Sequence, residues 1–131
     1  MSYLKHCNMK IRSHRELEVY MLSFDTAMKI FEITKRFPKE ETYSLTDQIR
    51  RSSRSVCSNL AEVFRKRKYP KSFISKLSDS ESEAAESQTW LDFSLSCEYI
   101  TDREHNDLNE SYDKILGKLV TMSLHPENWS W

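Results

Sequence analysis

Charged side chains of opposite sign are concentrated in two neighbouring parts of this 131-residue chain. Residues 50–71 hold eight lysines and arginines and one acid, Glu62, whereas residues 79–110 hold ten acids and one arginine, Arg103. A dense group of cations can bind nucleic-acid phosphates, because each contact releases counterions from the phosphate backbone. The densest group, which we call the basic cluster, consists of Arg65, Lys66, Arg67, Lys68 and Lys71.

The sequence is compatible with two roles for the basic cluster. The basic and acidic stretches follow each other, so they can face and neutralise each other within or between subunits. The chain carries 20 cations and 20 anions, and its net charge gives no general attraction to nucleic acid or membrane. Nearby aromatics that could stack on bases are few, and two of the three belong to apolar stripes: Phe64, Tyr69 and Phe73. The pattern favours neutralisation, and contact with RNA or DNA is the alternative.

Residues that support catalysis or metal binding are present, but their spacing is wrong for either. Gly117 is the only glycine, which excludes a glycine-rich phosphate loop. No His-x-x-x-His or Cys-x-x-Cys pair occurs among the four histidines and three cysteines, which are His6, His14, His105, His125, Cys7, Cys57 and Cys97. We therefore predict no catalytic residue, no metal and no cofactor, and a protein that is not an enzyme.

A single glycine and three prolines predict long helices joined by a few turns, because β-hairpins need more turn residues. Apolar residues at helical spacing mark four helices. Their predicted limits are Arg15 to Phe37, Ser44 (as N-cap) to the basic cluster, Lys71 to Tyr99, and the capping box Thr101–Glu104 to a point before Pro126. Pro38 and Pro70 mark two of the joints.

Each predicted helix has an apolar stripe that should face the core. In order along the chain, the stripes are Leu17, Tyr20, Met21, Phe24, Ala27, Met28 and Phe31; Leu45, Ile49, Val56, Leu60 and Phe64; Phe73, Leu77, Ala84, Leu91 and Leu95; and Leu108, Tyr112, Ile115, Leu119 and Met122. We therefore expect an all-α, up-down-up-down four-helix bundle. It should form one domain over residues 1–131, with its core at about residues 14–124 and peripheral termini.

Two of the predicted helices carry a second apolar face. These residues are Val19, Ile30, Ile33 and Phe37 in the first helix, and Trp90 and Phe93 in the third. A lone bundle needs one stripe per helix, so we expect the second faces to contact other subunits. Two different faces form a heterologous contact, which closes into a ring, and we therefore predict a homo-oligomer.

The predicted location is the cytoplasm. The N-terminal segment has no apolar run of signal-peptide length, and no later segment approaches the roughly 18 apolar residues of a membrane-spanning helix. Three widely spaced cysteines do not indicate a disulfide framework.

The stretch from Tyr43 to Glu62 also supports a family assignment. It reads Tyr-x-Leu-Thr-x-Gln-Ile-Arg-Arg, then Ser-x-x-x-Asn-Leu-Ala-Glu, and it resembles the four-helix-bundle proteins encoded within 23S rRNA intervening sequences. These proteins have sometimes been labelled ribosomal. The likeness covers about residues 14–122, and "SEAAESQTWL" resembles the family's third helix.

The resemblance implies a left-handed bundle, a homopentameric ring and no established enzymatic activity. It also implies structural roles for Tyr43, Gln48, Arg50, Arg51, Asn59, Glu62 and Glu86. We therefore expect a non-catalytic oligomeric scaffold that contacts RNA through the ring. The alternative is a nucleic-acid-binding partner of a reverse transcriptase, as in the more distantly similar accessory protein of diversity-generating retroelements.

Overall fold

The computed structural model describes residues 11–129, which form four α-helices and no strand. The helices are α1 (Glu18–Thr34), α2 (Leu45–Arg65), α3 (Pro70–Ser96) and α4 (Asp102–Leu124). Single turns of 3-10 helix occur at His14–Glu16, Lys39–Glu41 and Pro126–Asn128. The all-α prediction is confirmed. His6 and Cys7 lie outside the described residues.

The first helix is shorter than predicted at both ends. Ser13 caps the separate 3-10 turn at its start, and Leu17 then adopts an extended conformation with φ −71° and ψ 129°. At the other end, Phe37 donates its N–H to Thr34 O in a tighter turn before Pro38. The capped 3-10 turn therefore delays the start of α1, and Pro38 brings about its early end.

Each helix packs against the next one along the chain, and α1 also packs against α4. The contacts join residues of increasing number on one helix to residues of decreasing number on its neighbour. They include Ser52–Ser87, Val56–Ser80 and Glu62–Lys76 between α2 and α3, and Gln88–Asp113 and Asp92–His105 between α3 and α4. The α1–α4 side has Glu18–Lys118, followed by Arg36–Glu104 just beyond the end of α1. The four helices enclose one apolar core.

The inward stripes predicted for α2, α3 and α4 are confirmed. All of their residues are buried except Leu95, which is half-buried and packs against the core. The capping box at the start of α4 is also present, because Glu104 N–H donates to Thr101 Oγ1 (3.1 Å) and Thr101 N–H donates to Glu104 Oε1 (2.9 Å).

The inward face of α1 differs from the prediction. Ile30 has no exposed surface, and Val19 and Phe37 are also buried, whereas Phe24 is 52% exposed. Leu17 and Ala27 are buried as predicted, but Met21, Phe24 and Met28 were exchanged with residues of the predicted outward face. Val19, Ile30 and Phe37 are core residues, so their predicted role as subunit contacts is wrong. Ile33 is half-buried and packs against the same core.

Small hydroxyl residues explain the exchange. Ser23, Thr26 and Thr34 are buried on the core face of α1, and each hydroxyl donates to a carbonyl of its own helix at 2.7–2.8 Å. A buried hydroxyl that is hydrogen-bonded in this way carries little penalty. The true core face of α1 therefore contains polar residues, and it is not the most apolar stripe of the helix.

Small residues also lie at the contact between α2 and α3. The Ser52 and Ser87 hydroxyls are 2.8 Å apart, and Ser80 Oγ donates to Val56 O at 2.8 Å. All three serines have no exposed surface. Side chains of this size let the two helix backbones approach closely, and we call this contact the serine seam.

The start of α2 is capped by a different residue from the predicted one. Ser44 occupies the N-cap position, but its hydroxyl donates to Glu41 Oε1 (2.6 Å), and the same carboxylate oxygen accepts the Leu45 N–H (3.2 Å). Tyr99, from the α3–α4 connection, donates its hydroxyl to Glu41 Oε2 at 2.9 Å. The hydrogen bond from Ser44 lowers the pKa of Glu41, and the hydrogen bond from Tyr99 lowers it further. One carboxylate therefore joins two connections of the fold.

The end of α3 contains a residue in the left-handed region. Tyr99 N–H donates to Ser94 O and Glu98 N–H to Leu95 O, both at 2.9 Å, and Glu98 has φ 62°. This is a Schellman turn, in which glycine usually occupies the position of Glu98.

We expect Glu98→Gly to raise the free energy of unfolding by about 0.5–1 kcal/mol, because glycine has no Cβ to strain the left-handed conformation. Denaturant unfolding measures the change. Glu98→Ala is the matched control, since it removes the same carboxylate but keeps a Cβ. Equal stability of the two variants would show that the turn is not strained.

Candidate interaction surfaces

Arg51 lies on the side of α2 that faces α3 and forms ion pairs with two carboxylates of α3. Its Nη1 is 3.6 Å from Glu83 Oε1, and its Nη2 contacts the Glu86 carboxylate. Nη2 also donates to Gln48 Oε1 at 3.3 Å. Glu83 Oε1 is buried and accepts no hydrogen bond from the described residues. The charge of Arg51 is therefore the main compensation for Glu83 in this part of the bundle.

The indole of Trp90 joins the same network. Its Nε1 donates at 3.1 Å to Glu86 Oε2, the carboxylate oxygen that Arg51 also contacts. The Trp90 ring centroid lies 5.9 Å from that of Phe93, whose side chain is 53% exposed. The two rings form an apolar face on α3, and the polar network sets the position of one of them.

A second exposed apolar face lies on α1. It consists of Met21, Phe24 and Met28, which follow one another at helical spacing and are each about half exposed. Met28 also borders an open depression of about 380 Å³ between α1 and α4, which Ile33 and Leu108 help to line. Sequence reasoning missed this face because it assigned these three residues to the core. The rule that exposed positions are polar does not identify the buried face of α1, because apolar residues occupy exposed positions there.

The basic cluster lies at the end of α2 and in the turn that leads to α3. Arg65, Lys66, Lys68 and Lys71 are exposed, whereas Arg67 is only 5% exposed. Arg67 Nε donates to Phe64 O at 2.9 Å, and its guanidinium lies 3.7 Å from the centroid of the Phe64 ring.

Arg67 is therefore not a phosphate contact, and the prediction is wrong for this residue. Burial, together with the nearby charge of Arg65, lowers the pKa of Arg67. Its side chain satisfies one of the last carbonyls of α2, where a cation also interacts favourably with the helix dipole. Arg67 thus stabilises the turn that carries the other cations.

Carboxylates of the acidic stretch form ion pairs with cations outside the basic cluster. The carboxylates Glu83 and Glu86 pair with Arg51, and Glu104 pairs with Arg36. Among residues 11–129, no ion pair involves Arg65, Lys66 or Lys71. Neutralisation inside one chain is therefore observed for Arg51 and not for these three cations.

An open depression of about 270 Å³ lies beside the turn between α2 and α3. It is lined by Lys66, Lys71, Ser72, Ser75 and Lys76. Lys76 Nζ lies 3.2 Å from Glu62 and 3.3 Å from Asp79, so its charge is balanced. Lys66 and Lys71 supply positive charge that no acid among residues 11–129 balances through an ion pair. We call this depression the lysine groove.

No metal centre is formed by the part of the chain that the structure describes, since no three His, Cys, Asp or Glu side chains are grouped there. Cys57 and Cys97 are free thiols, and burial raises the pKa of Cys57 to about 11. None of the helices over residues 11–129 combines the length and apolar character needed to cross a membrane.

Comparison with known proteins identifies the family. The model of the 23S rRNA-intervening sequence protein family matches residues 15–121. The chain belongs to this family. A crystal structure of a protein of unknown function, from the S23 ribosomal protein family of Bacteroides thetaiotaomicron, is 27% identical and has a TM-score of 0.73. The match covers 81% of this chain and 95% of that one. A search of curated proteins gives no match.

The residues that carry the resemblance to the 23S rRNA-intervening sequence proteins make several contacts from α2 to its neighbours. Arg50 Nε donates to Thr34 Oγ1 on α1 at 2.8 Å, and its guanidinium lies 4.8 Å from the centroid of the Phe31 ring. Glu62 pairs with Lys76 on α3. Asn59 is half-buried and Tyr43 is almost fully exposed. A structural role for these residues stays a prediction, and Arg51 offers the sharpest test.

We expect Arg51→Gln to lower the free energy of unfolding by about 1 kcal/mol, because Glu83 and Glu86 would lose the cation between them. Thermal and denaturant unfolding measure the loss. Arg54→Gln is the matched control: it removes the same charge one turn further along α2, where the nearest partner is the Phe31 ring at 5.9 Å. Its effect should stay below about 0.5 kcal/mol. Equal losses in the two variants would contradict a structural role for the network.

Proposed function

We propose that this member of the 23S rRNA-intervening sequence protein family is a non-catalytic scaffold that assembles into a homo-oligomeric ring and contacts RNA. The main supporting observation is the presence of apolar side chains on two outer surfaces. Met21, Phe24 and Met28 of α1 are each about half exposed, and on α3 the half-exposed Phe93 lies beside the partly buried Trp90. Exposed apolar side chains grouped in this way are typical of protein interfaces. Neither the described residues nor the comparisons favour the alternative of a reverse-transcriptase partner.

The arrangement of the faces supports a ring. α1 and α3 are not packed side by side in the described chain, so the faces belong to different surfaces of the bundle. When one face of a subunit binds the other face of the next subunit, the contact is heterologous and repeats until it closes. The size that we expect is the pentamer implied by the family resemblance.

The proposed subunit is a left-handed, up-down-up-down bundle. The reversed order of contacts between neighbouring helices supports the alternation of direction, as does the shortness of the three connections. In such a bundle, the two apolar faces project outward from diagonally placed helices.

We expect Phe24→Asp and Phe93→Asp each to dissociate the oligomer, because each places a charge in one of the two proposed contact faces. Both side chains are about half exposed, so the bundle itself should still fold. Size-exclusion chromatography with light scattering at micromolar concentration measures the mass, and circular dichroism checks the fold. Tyr43→Asp, at an almost fully exposed aromatic outside both faces, is the matched control.

Mixing the two variants distinguishes a heterologous contact from a symmetric one. Each variant keeps one intact face, so an equimolar mixture should form heterodimers and nothing larger. A monomeric wild type would refute self-association. Loss of assembly by one variant alone, with no effect of the other, would refute the pairing of α1 with α3.

RNA contact is supported by the exposed cations Arg65, Lys66 and Lys71, which form no ion pair with an acid among the described residues. We expect a fourfold change to serine at Arg65, Lys66, Lys68 and Lys71, with Arg67 retained, to abolish the retention of labelled RNA at low salt. A fourfold change of exposed lysines elsewhere, at Lys29, Lys35, Lys39 and Lys114, is the charge-matched control. Binding that decreases equally in both variants would reflect net charge alone and would contradict a defined RNA contact.

A further inference from the structure

We propose that the turn between α2 and α3 binds a single-stranded segment of RNA, with a phosphate between Lys66 and Lys71 and an unpaired base stacked on Tyr69. The inference rests on the proposed RNA contact and adds the form of RNA and the side chains that distinguish it. The observations that carry it are the exposure of the Tyr69 ring, the lysine groove lined by residues on both sides of Tyr69 in the chain, and the backbone hydrogen bonds of the turn.

Of the three aromatic side chains next to the basic cluster in the sequence, Tyr69 is the one with an exposed ring. Phe64 and Phe73 are buried in the core, whereas Tyr69 is 58% exposed. Its backbone is held on both sides, because its N–H donates to Lys66 O at 2.9 Å and its carbonyl accepts the Phe73 N–H at 2.8 Å. Hydrogen bonds therefore hold the backbone that carries the ring, and little backbone entropy is lost when a base stacks on it.

The lysine groove offers the groups that bind a phosphate. Lys66 and Lys71 line it without an acidic partner among the described residues, and the Ser72 and Ser75 hydroxyls can donate to phosphate oxygens. The groove lies at the first turn of α3, where no side chain caps the free amide groups. These amides and the helix dipole add to the attraction that the two lysines exert on an anion.

Stacking on Tyr69 favours a single strand over a duplex. A base inside a duplex is covered on both faces by its neighbours, whereas an unpaired base has a face free for an aromatic side chain. A duplex could use the lysines but not the ring. The two groups together therefore select RNA that presents an unpaired base close to a bound phosphate.

The test is fluorescence anisotropy of the full-length protein with a fluorescein-labelled single-stranded oligouridine and with an RNA duplex of equal length. We expect Tyr69→Ala to weaken binding of the single strand about tenfold, while Tyr69→Phe, which keeps the aromatic face, binds like the wild type. Binding of the duplex should not change in either variant. Tyr43→Ala, at another exposed tyrosine, is the control for a general effect of removing an aromatic ring.

The phosphate contact is tested with the double change Lys66→Ser and Lys71→Ser. It should reduce the slope of log K against log salt for the single strand by about 0.7, since the contact to one phosphate is lost. The change Lys39→Ser with Lys114→Ser removes the same charge from other exposed sites and should leave the slope unaltered. Light scattering confirms that all variants keep the oligomeric state of the wild type.

The outcomes separate this inference from the proposed function. Failure of the wild type to bind either RNA at low salt would overturn both the RNA contact and this site, and would leave the scaffold proposal intact. Binding that is equal for duplex and single strand and insensitive to Tyr69→Ala would overturn the single-strand inference alone. Selective loss of single-strand binding in Tyr69→Ala and in the lysine variant would support it.

Discussion

Close packing of α2 against α3 at the serine seam is the constraint on which two of the proposed surfaces depend. These are the apolar face of α3 and the lysine groove. Ser52, Ser80 and Ser87 are fully buried there, and their hydroxyls are satisfied by one another or by backbone carbonyls. A larger side chain at any of these positions would push the helices apart. Because the seam sets the distance between the two helices, Arg51 of α2 can reach the two carboxylates of α3 that it pairs with.

The apolar face of α3 and the lysine groove both lie on the pair of helices that the seam joins. The Arg51 network contains the Trp90 indole, which forms the apolar face of α3 together with Phe93. Towards the other end of the same helix pair, Arg67 folds back on Phe64 and orders the turn that carries the exposed lysines. In both cases a cation in the structure positions a neighbouring group that faces solvent.

The first helix has a different relation to the core. Its buried face includes three hydroxyl residues, which satisfy themselves within the helix, so large apolar side chains remain on the solvent side. Burying polar residues while exposing Phe24 and two methionines is unfavourable for an isolated bundle, since apolar surface is left in water. Covering that surface with another subunit would remove the free-energy cost of exposing it. The orientation of α1 about its own axis is therefore explained by the proposed assembly.

The sequence alone determined the four helices, the joints at Pro38 and Pro70, the capping box at Thr101 and the inward stripes of three helices. These features depend on residues a few positions apart, whose spacing and backbone preferences are visible in the chain. The family was also recognisable from the stretch between Tyr43 and Glu62.

Tertiary structure decided which face of α1 is buried. Hydroxyl residues that hydrogen-bond to their own helix can lie in the core, although a count of apolar residues predicts that they are exposed. Tertiary structure also decided that Arg67 is buried, that Glu41 joins Tyr99 over a separation of 58 residues, and that Arg51 meets Glu83 and Glu86. Each of these outcomes depends on the side chains and backbone groups that folding brings next to a residue, and residue type and helical spacing do not specify them.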